Sequence, residues 1–384
     1  MKIIYLTTSM EEFDYLAYTT SWSIPLNPSN QNFHNKVIRA LAKFADVEVF
    51  SIRPFSRKYC NEYFLQADKK KVGNITWNYL QIPHFKLPKY AATKKQSIEL
   101  LNHMDLKDAI VITDTINPVV SNVANKVRKK FKIPVIGICT DSPSNISGTP
   151  KAFSTAIFKM ASNYDGYLAL TSGLNNAFNV NARPSYIFEG IVEDNLPQPI
   201  ENSFGKYIFF GGALMERYGI YNLIEAFKKV DDKDLRLLIC GHHADIDKLN
   251  SAIESDSRII NLGIISNRKV LQLEMNSIAN INPRPFSEDL DRFSIPSKTI
   301  EYLSTGNPTI SVKNTKLKKT LGNNIIWSKT GDAPDLYDAM MKAINLSEEE
   351  RKDFGTNARN KTLELYSQAT IGKNIYDFLL QFIK

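Results

Sequence analysis

Residues 292–311 read RFSIPSKTIEYLSTGNPTIS. Pro296 suits the first turn of a helix, where its missing N–H is not needed. The N–H groups around Ser297 and Lys298 would then lack intrahelical partners. Such a helix start attracts phosphate by about 0.3–1 kcal/mol, and by up to ~2 kcal/mol when partly buried. Lys298 adds a full positive charge. Ser297 and Glu301 are four apart and share a helix face. Glu301 lies about 6 Å further along the axis, where its carboxylate accepts hydrogen bonds from two hydroxyls of one sugar. The spacing therefore fits a pyrophosphate at the helix start with a ribose beside Glu301. A plain surface pair between Lys298 and Glu301 is the alternative, and is worth only a few tenths of a kcal/mol, ~0.2–0.5.

Other chemistry-bearing residues follow apolar runs. YIFFGGALMERYGIYNLIEAF (207–227) ends a strand in Gly211-Gly212, where backbone approaches a ligand closely, and a helix is expected from about 219. The run lacks the Gly-x-Gly-x-x-Gly spacing, and the chain has no Gly-Lys-Ser/Thr phosphate loop. CGHH (240–243) pairs two histidines without a second ligand set, which points to a loop and not a metal site. In GICTDSPSNISG (137–148), Asp141 is expected at a strand's carboxyl end. It either orients or deprotonates an acceptor hydroxyl or closes an Asx-turn. VITDTINP (111–118) offers Asp114 in the same way, and Asn27, Ser29 and Asn30 read as helix caps.

The elements that must position these residues alternate regularly. Strands are expected at 2–8, 47–52, 75–82, 109–113, 133–139, 166–170 and 185–188, with helices between them such as 31–44, 118–130 and 151–162. The pattern restarts with YIFFGG, LRLLICG, RIINLG, IANINP, PTISV and NIIW. Continuous apolar strands separated by helices imply parallel sheets covered on both faces. Two such successions imply an α/β protein of two doubly wound, Rossmann-like domains facing across a cleft. The boundary falls in 190–205, where Pro, Asn and acidic residues displace the apolar pattern.

The 384 residues are 43% hydrophobic and 23% charged, the balance of a soluble globular protein. The opening MKIIYLTTSMEEFDYL reads as a first strand and not a signal peptide. The three cysteines are scattered, and Cys139 and Cys240 in apolar runs are expected to be buried thiols in a reducing cytoplasm. Residues 1–200 hold 23 Lys/Arg against 16 Asp/Glu, and the remainder 25 against 24. Residues 51–100 alone carry 10 basic residues with aromatics among them. An anionic membrane surface fits this region, as does an ordinary solvated face. No nucleic-acid signature accompanies the charge.

The series FFGGALMERYGIYNLIEAF, LRLLICGHH, IINLGIISNRKVLQLEMNSIANINPRP and FSIPSKTIEYLSTGNPTIS resembles the carboxyl-terminal domain of GT-B fold glycosyltransferases. The resemblance runs over roughly 200–365 and is strongest to the retaining family of phosphatidylinositol mannosyltransferases and bacterial polysaccharide enzymes. It implies sugar transfer from a nucleotide diphosphate sugar (UDP- or GDP-sugar), with no metal and no further cofactor. Glu301 matches the ribose-binding glutamate, Gly211-Gly212 the loop beside the pyrophosphate, and Gly263-Ile264-Ile265 the segment that meets the base. Phe293 stands where the family carries a second glutamate. Ala213 and Tyr218 stand where it carries Arg and Lys, with Arg217, Arg284 and Lys298 at hand to supply charge. The family's histidine after the fifth strand falls at Thr140 or Asp141.

The expected organisation is an acceptor domain at 1–195, a donor domain at 196–365 and a last helix, 366–384, crossing back. The expected activity is a metal-independent hexosyltransferase of surface-glycan synthesis, cytoplasmic or peripheral on the inner membrane face. Lys298 and Arg284 would stabilise the departing diphosphate. The acceptor would be a saccharide, carried on lipid. A non-catalytic subunit that binds a partner transferase or glycan, or a nucleotide-sugar epimerase of the same fold, are the alternatives.

Overall fold

The computed structural model describes every residue except 23–27, 55–61, 84–85, 146–149, 199, 244 and 384. Asn27, Phe55, Arg57, Lys58, Tyr59, Cys60 and Phe85 lie outside the described residues. Two compact units form. The first holds Met1–Ile191, Arg292–Ser294 and Gln368–Lys384, and the second Val192–Asp291 and Ile295–Ser367.

In the first unit the order is β1 (Lys2–Thr7), α1 (Glu12–Trp22), α2 (Pro28–Leu41), β2 (Asp46–Ser51), β3 (Phe64–Leu65), β4 (Asp68–Val72), β5 (Ile75–Tyr79), β6 (Ile82–Pro83) and α3 (Lys86–Asn102). Then come β7 (Ala109–Asp114), α4 (Pro118–Phe131), β8 (Val135–Cys139), α5 (Lys151–Ala161), β9 (Gly166–Ala169), α6 (Ser172–Phe178) and β10 (Ser185–Ile187). The sheet runs β10-β9-β8-β7-β1-β2-β5-β4. All pairings in it are parallel except β4 on β5. The apolar runs of β1, β7, β8 and β9 are buried along their length, as strands covered on both faces must be.

The antiparallel β4, sequence DKKKV, departs from the all-parallel expectation. Its lysines hide the strand from a reading based on apolar runs, yet an edge strand is where lysine belongs, because charge blocks pairing with another sheet. Lys70 there bonds Glu11 at 2.6 Å and Asp14 at 3.0 Å. Part of the basic 51–100 region is thus an edge strand with its own carboxylates.

The second unit contains β11 (Tyr207–Gly211), α7 (Ile220–Lys228), β12 (Arg236–Cys240), α8 (Ile246–Ile253), β13 (Ile259–Asn261), α9 (Asn267–Asn276) and β14 (Ala279–Asn282). It continues with α10 (Glu288–Phe293), which ends in residues of the first unit, then α11 (Ser297–Ser304), β15 (Thr309–Val312), α12 (Thr315–Leu321), β16 (Ile326–Ser328), α13 (Ala333–Ile344) and α14 (Glu348–Tyr366). Its six strands run β13-β12-β11-β14-β15-β16, all parallel. One face of β11 and β12 buries Ile208, Phe210, Leu237 and Ile239 under Leu223, Ile224 and Phe227 of α7. The other buries Tyr207, Phe209, Leu238 and Cys240 under Val270 and Leu273 of α9. Each such side chain contributes about 1.5–3 kcal/mol on burial.

The last helix, α15 (Gln368–Leu380), belongs to the first unit and packs on α2. Ile371, Ile375 and Leu379, four apart, form its buried stripe. Gly372 faces the Ala40 carbonyl, where a Cβ would approach to 2.5 Å, so only glycine allows this crossing.

Each sheet reverses its winding once. In the first unit the reversal lies between β1 and β7, in the second between β11 and β14. Ligands of such sheets bind beyond the strands' carboxyl ends at these switch points.

Candidate functional site

At the second unit's switch point, α11 is fixed by three polar contacts that the sequence specifies. The Asn282 amide at the end of β14 donates to Thr299 Oγ1 at 2.9 Å. Thr299 Oγ1 and Ser311 Oγ of β15 lie 2.9 Å apart. Tyr302 reaches the end of β11, where its hydroxyl accepts from the Gly211 N–H at 3.0 Å and donates to the Gly211 carbonyl at 3.2 Å. Burial pushes the Tyr302 phenol far above its ordinary range, so it keeps its proton. These contacts set the start of α11 beside the glycine turn.

Pro296 caps α11 and Ser297 is its first residue, one position later than the first-turn proline expected. The Ser297 N–H donates to the Ile295 carbonyl and the Thr299 N–H to the Pro296 carbonyl, each at 2.8 Å. The Ser297 N–H is therefore already engaged, and no side chain caps this helix. Lys298 Nζ meets Glu301 Oε1 at 2.6 Å and lies 3.8 Å from Glu274 Oε1. Lys298 keeps 34% of its side-chain surface, Glu301 14% and Glu274 none. Burial pulls the Lys298 ammonium downward, but Glu301 and Glu274 together hold it above its ordinary range. The simple Lys298–Glu301 pair is thus present, enlarged to a triad. Glu274 is missing from the sequence reading because it sits in the last turn of α9, where nothing in the sequence marks it as facing Lys298.

The glycine turns come together across three strand ends. The Gly212 N–H donates to the Cys240 carbonyl at 2.9 Å and the Gly241 N–H to the Gly263 carbonyl at 2.8 Å. Gly241 has φ +139°, and a Cβ there would sit 1.7 Å from the Gly212 oxygen. Ile264, 69% exposed, and the half-buried Ile265 follow. Burial pushes the Cys240 thiol up to about 12, so it is an inert core group. His242 and His243 lie in the loop after β12, and His243 bridges to Leu214. Among the described residues, no group of His, Cys, Asp or Glu is placed to hold a metal ion.

Arg217 and Arg284 converge on one ring. Their guanidinium carbons lie 4.9 and 5.6 Å from the centroid of Tyr218. The Glu216–Tyr218 turn ends at Gly219, φ +81°, whose missing Cβ would clash with the Pro283 carbonyl at 2.1 Å. This backbone contact brings the exit of β11 against the exit of β14, and with it the two arginines.

Residues 193–361 match the sequence model of the family described as Glycosyl transferases group 1. That stretch contains every second-unit residue of the candidate site. Over that stretch the chain is similar to group 1 glycosyl transferases. No curated protein matches the chain. Solved structures align along nearly all of it. A sucrose-phosphate synthase from Thermosynechococcus elongatus shares 14% identity over 99% of both chains, with a TM-score of 0.70. A trehalose-6-phosphate structure from E. coli, bound with UDP-2-fluoro glucose, shares 13% over 99% of both, at 0.71. HepE from Anabaena, in complex with UDP-glucose, shares 14% over 99% of this chain and 100% of its own, at 0.67. At these identities the likeness concerns the fold, which is GT-B.

Two residues around the matched stretch take other places. Phe293, standing where a second glutamate was expected by resemblance, packs against the hydrophobic core of the first unit. Asp141 follows β8 in the first unit, and its Oδ1 accepts from the Ser142 N–H at 2.8 Å in a local turn. Asp114 lies elsewhere, at the first unit's switch point, in a buried polar cluster.

Proposed function

We propose that the chain transfers a sugar from a nucleotide diphosphate sugar to a saccharide acceptor, the second unit holding the donor. The observation that carries this reading is the triad of Lys298, Glu301 and Glu274 at the start of α11, pinned through Tyr302 to Gly211. Glu301 receives the ribose hydroxyls and the turns at Gly211-Gly212 and Gly263-Ile264-Ile265 receive pyrophosphate and base. The triad sums to one net negative charge, so Lys298 alone does not balance a diphosphate. Arg217 and Arg284, joined at Tyr218, supply the remaining positive charge. As the leaving diphosphate gains charge, these cations stabilise it, and the reaction needs no metal.

The acceptor is read as a lipid-carried saccharide of surface-glycan synthesis, met at the inner membrane face. The support is the surplus of basic residues in 1–200. No described helix is long and apolar enough to cross a membrane.

Calorimetry with UDP, GDP and CMP, and turnover with their sugars, tests the donor assignment. Lys298→Ala and Glu301→Ala are expected to weaken nucleotide binding at least tenfold. Full activity in both variants overturns it. A non-catalytic glycan- or partner-binding subunit is the second reading, favoured by Lys298 being engaged by Glu301 and by Phe293 in the glutamate's stead. It predicts no nucleotide diphosphate binding.

A further inference from the structure

Four strands form the edges of the two large sheets: β10 and β4 in the first unit, β13 and β16 in the second. An open edge presents unpaired N–H and C=O groups, and proteins guard it with charge, cover or proline. β4 carries Lys69, Lys70 and Lys71 side by side. β13 and β16 contain no exposed residue. β10, sequence SYI, has neither guard: Ser185 and Ile187 are exposed, no residue of the strand is charged, and Ile187 keeps 41% of its surface.

The backbone of β10 faces two ways. The Tyr167 N–H donates to the Pro184 carbonyl and the Phe188 N–H to the Ala169 carbonyl, each at 3.0 Å. Alternate residues of a strand turn their groups to the same neighbour, so Pro184, Tyr186 and Phe188 serve β9. Ser185 and Ile187 therefore direct their N–H and C=O groups outward, and the N–H that Pro184 lacks would have pointed inward. Further back, the Asn179 side chain closes the edge: its Oδ1 accepts from the Arg183 N–H at 2.7 Å and its Nδ2 donates to the Arg183 carbonyl at 2.8 Å. The open segment is thus 185–187, and its flanks are symmetric about Tyr186. Arg183 and Glu189 stand three positions to either side, the first exposed and the second half-buried. Tyr186 is held from behind by α15, where the Asn374 amide donates to its hydroxyl at 3.1 Å and the Phe378 ring lies 6.3 Å away. The strand is therefore fixed before any partner arrives, which lowers the cost of association.

We propose that β10 pairs antiparallel with β10 of a second copy of this chain, about a two-fold axis at Tyr186. Ser185 and Ile187 of one copy then exchange N–H···O=C bonds with Ile187 and Ser185 of the other. A two-fold interface must present the same patch on both sides, and this segment does so in charge as well as position. The register that joins the outward groups also sets Arg183 opposite Glu189 of the second copy, at both ends of the pairing. Residues directly opposite share a face of the sheet, so these side chains meet. Parallel pairing would set arginine beside arginine, and a slip by one residue would turn the outward groups away from each other. The pairing also covers Ile187. Nothing in this inference depends on the donor site or on the sugar-transfer reading.

The test is sedimentation equilibrium of the full chain between about 1 and 200 μM, a span that covers micromolar affinities. The mass is expected to climb toward twice that of one chain. Arg183→Glu sets like charges opposite each other at both ends and should weaken association about tenfold. The Asn179 bonds go to the Arg183 backbone and survive this substitution, so the melting temperature of the single chain should change little. Arg183→Glu combined with Glu189→Arg restores opposite charges in exchanged places and should bring association back to within about threefold of wild type. Ile187→Lys, at an exposed position, sets two cations close to the axis and should leave single chains. At the higher concentration, hydrogen exchange in peptides covering 184–188 should slow in the wild type and not in Ile187→Lys. Single chains throughout the range, association that Arg183→Glu and Ile187→Lys leave unchanged, or a double variant no better than Arg183→Glu, overturns the proposal.

Discussion

Removing Lys298 exposes how the second unit's polar site is held. At an effective dielectric of about 20, Nζ gains roughly 6 kcal/mol from Glu301 at 2.6 Å and roughly 4 kcal/mol from Glu274 at 3.8 Å, before desolvation is charged. Lys298→Met leaves Glu274, with no exposed side-chain surface, without this countercharge. Breaking a buried pair costs about 3–5 kcal/mol. Lys298 retains 34% of its surface, so solvent screening lowers the expectation to about 2 kcal/mol. The assay is hydrogen exchange followed by mass spectrometry on peptides covering 297–312, which report opening of α11 and β15. Exchange should accelerate about thirtyfold there and little in the first unit's sheet. Lys298→Met combined with Glu274→Gln removes the buried charge and should recover at least half of the loss, a coupling expected of groups in contact. Acceleration below threefold, or a double variant no better than the single one, refutes the reasoning that Lys298 compensates a buried charge.

Three further outcomes follow from the same structure. Arg128 grips Asp165 through Nε at 2.9 Å and Nη2 at 2.7 Å, and the Val135 N–H adds a third bond at 2.9 Å. Burial raises the Asp165 carboxyl, but the Arg128 and Val135 bonds outweigh it and hold it below the usual value of 3.8. The stabilisation is present above that value and lost as pH falls through the lower folded one. Arg128→Met should therefore cost about 1 kcal/mol at pH 7 and progressively less below pH 3.8 in urea unfolding monitored across pH. Burial lowers the Lys89 ammonium from 10.5 to about 8, while its Nζ donates to the Arg53 carbonyl at 3.4 Å. Between these values the unfolded chain binds more protons, so stability attributable to Lys89 rises with pH across that window. Lys89→Met should flatten the rise in a thermal-shift series from pH 7 to 10.5. Gly241→Ala puts a Cβ 1.7 Å from the Gly212 oxygen at φ +139°. At least ~1–3 kcal/mol of strain is expected, with a lower melting temperature and weakened nucleotide binding together.

The parallel sheets were legible because buried strands carry unbroken apolar runs and helices fall between them. β1, β7, β8 and β9 stand within two residues of where the sequence places them, and α4 and α5 within one. Cys139 and Cys240 are buried, as their apolar neighbours imply. β4 was not legible: its stability comes from pairing with β5 and from Lys70 reaching Glu11 and Asp14, residues far off in sequence. α1 was missed because its apolar residues do not keep to one stripe: Tyr15 and Tyr18 pack on the core, while Phe13, Leu16 and Ala17 are exposed.

For the site, the sequence supplies groups but not their pairings. Glu301 and Lys298 are neighbours on one helix turn, so their contact follows from helical spacing. Glu274 reaches Lys298 only because the packing of α9 on the sheet and the Tyr302–Gly211 bonds bring two helices to the same strand end. The same holds for Arg217 and Arg284, joined through a glycine that tolerates the Pro283 carbonyl, and for His34 and Asp114, 80 positions apart yet adjacent across one switch point. In each case a long-range backbone contact decides which charge meets which. This ordering also explains why the departures at Ala213, Tyr218 and Phe293 do not by themselves empty the site of cations. On the proposed donor reading, the charge that a local motif would have placed after β11 comes instead from Arg284 on the next strand over, and a single substitution there, Arg284→Met, should weaken diphosphate binding more than nucleoside binding. Equal affinity of the variant and wild type for UDP and GDP would show that the pairing at Tyr218 is packing alone.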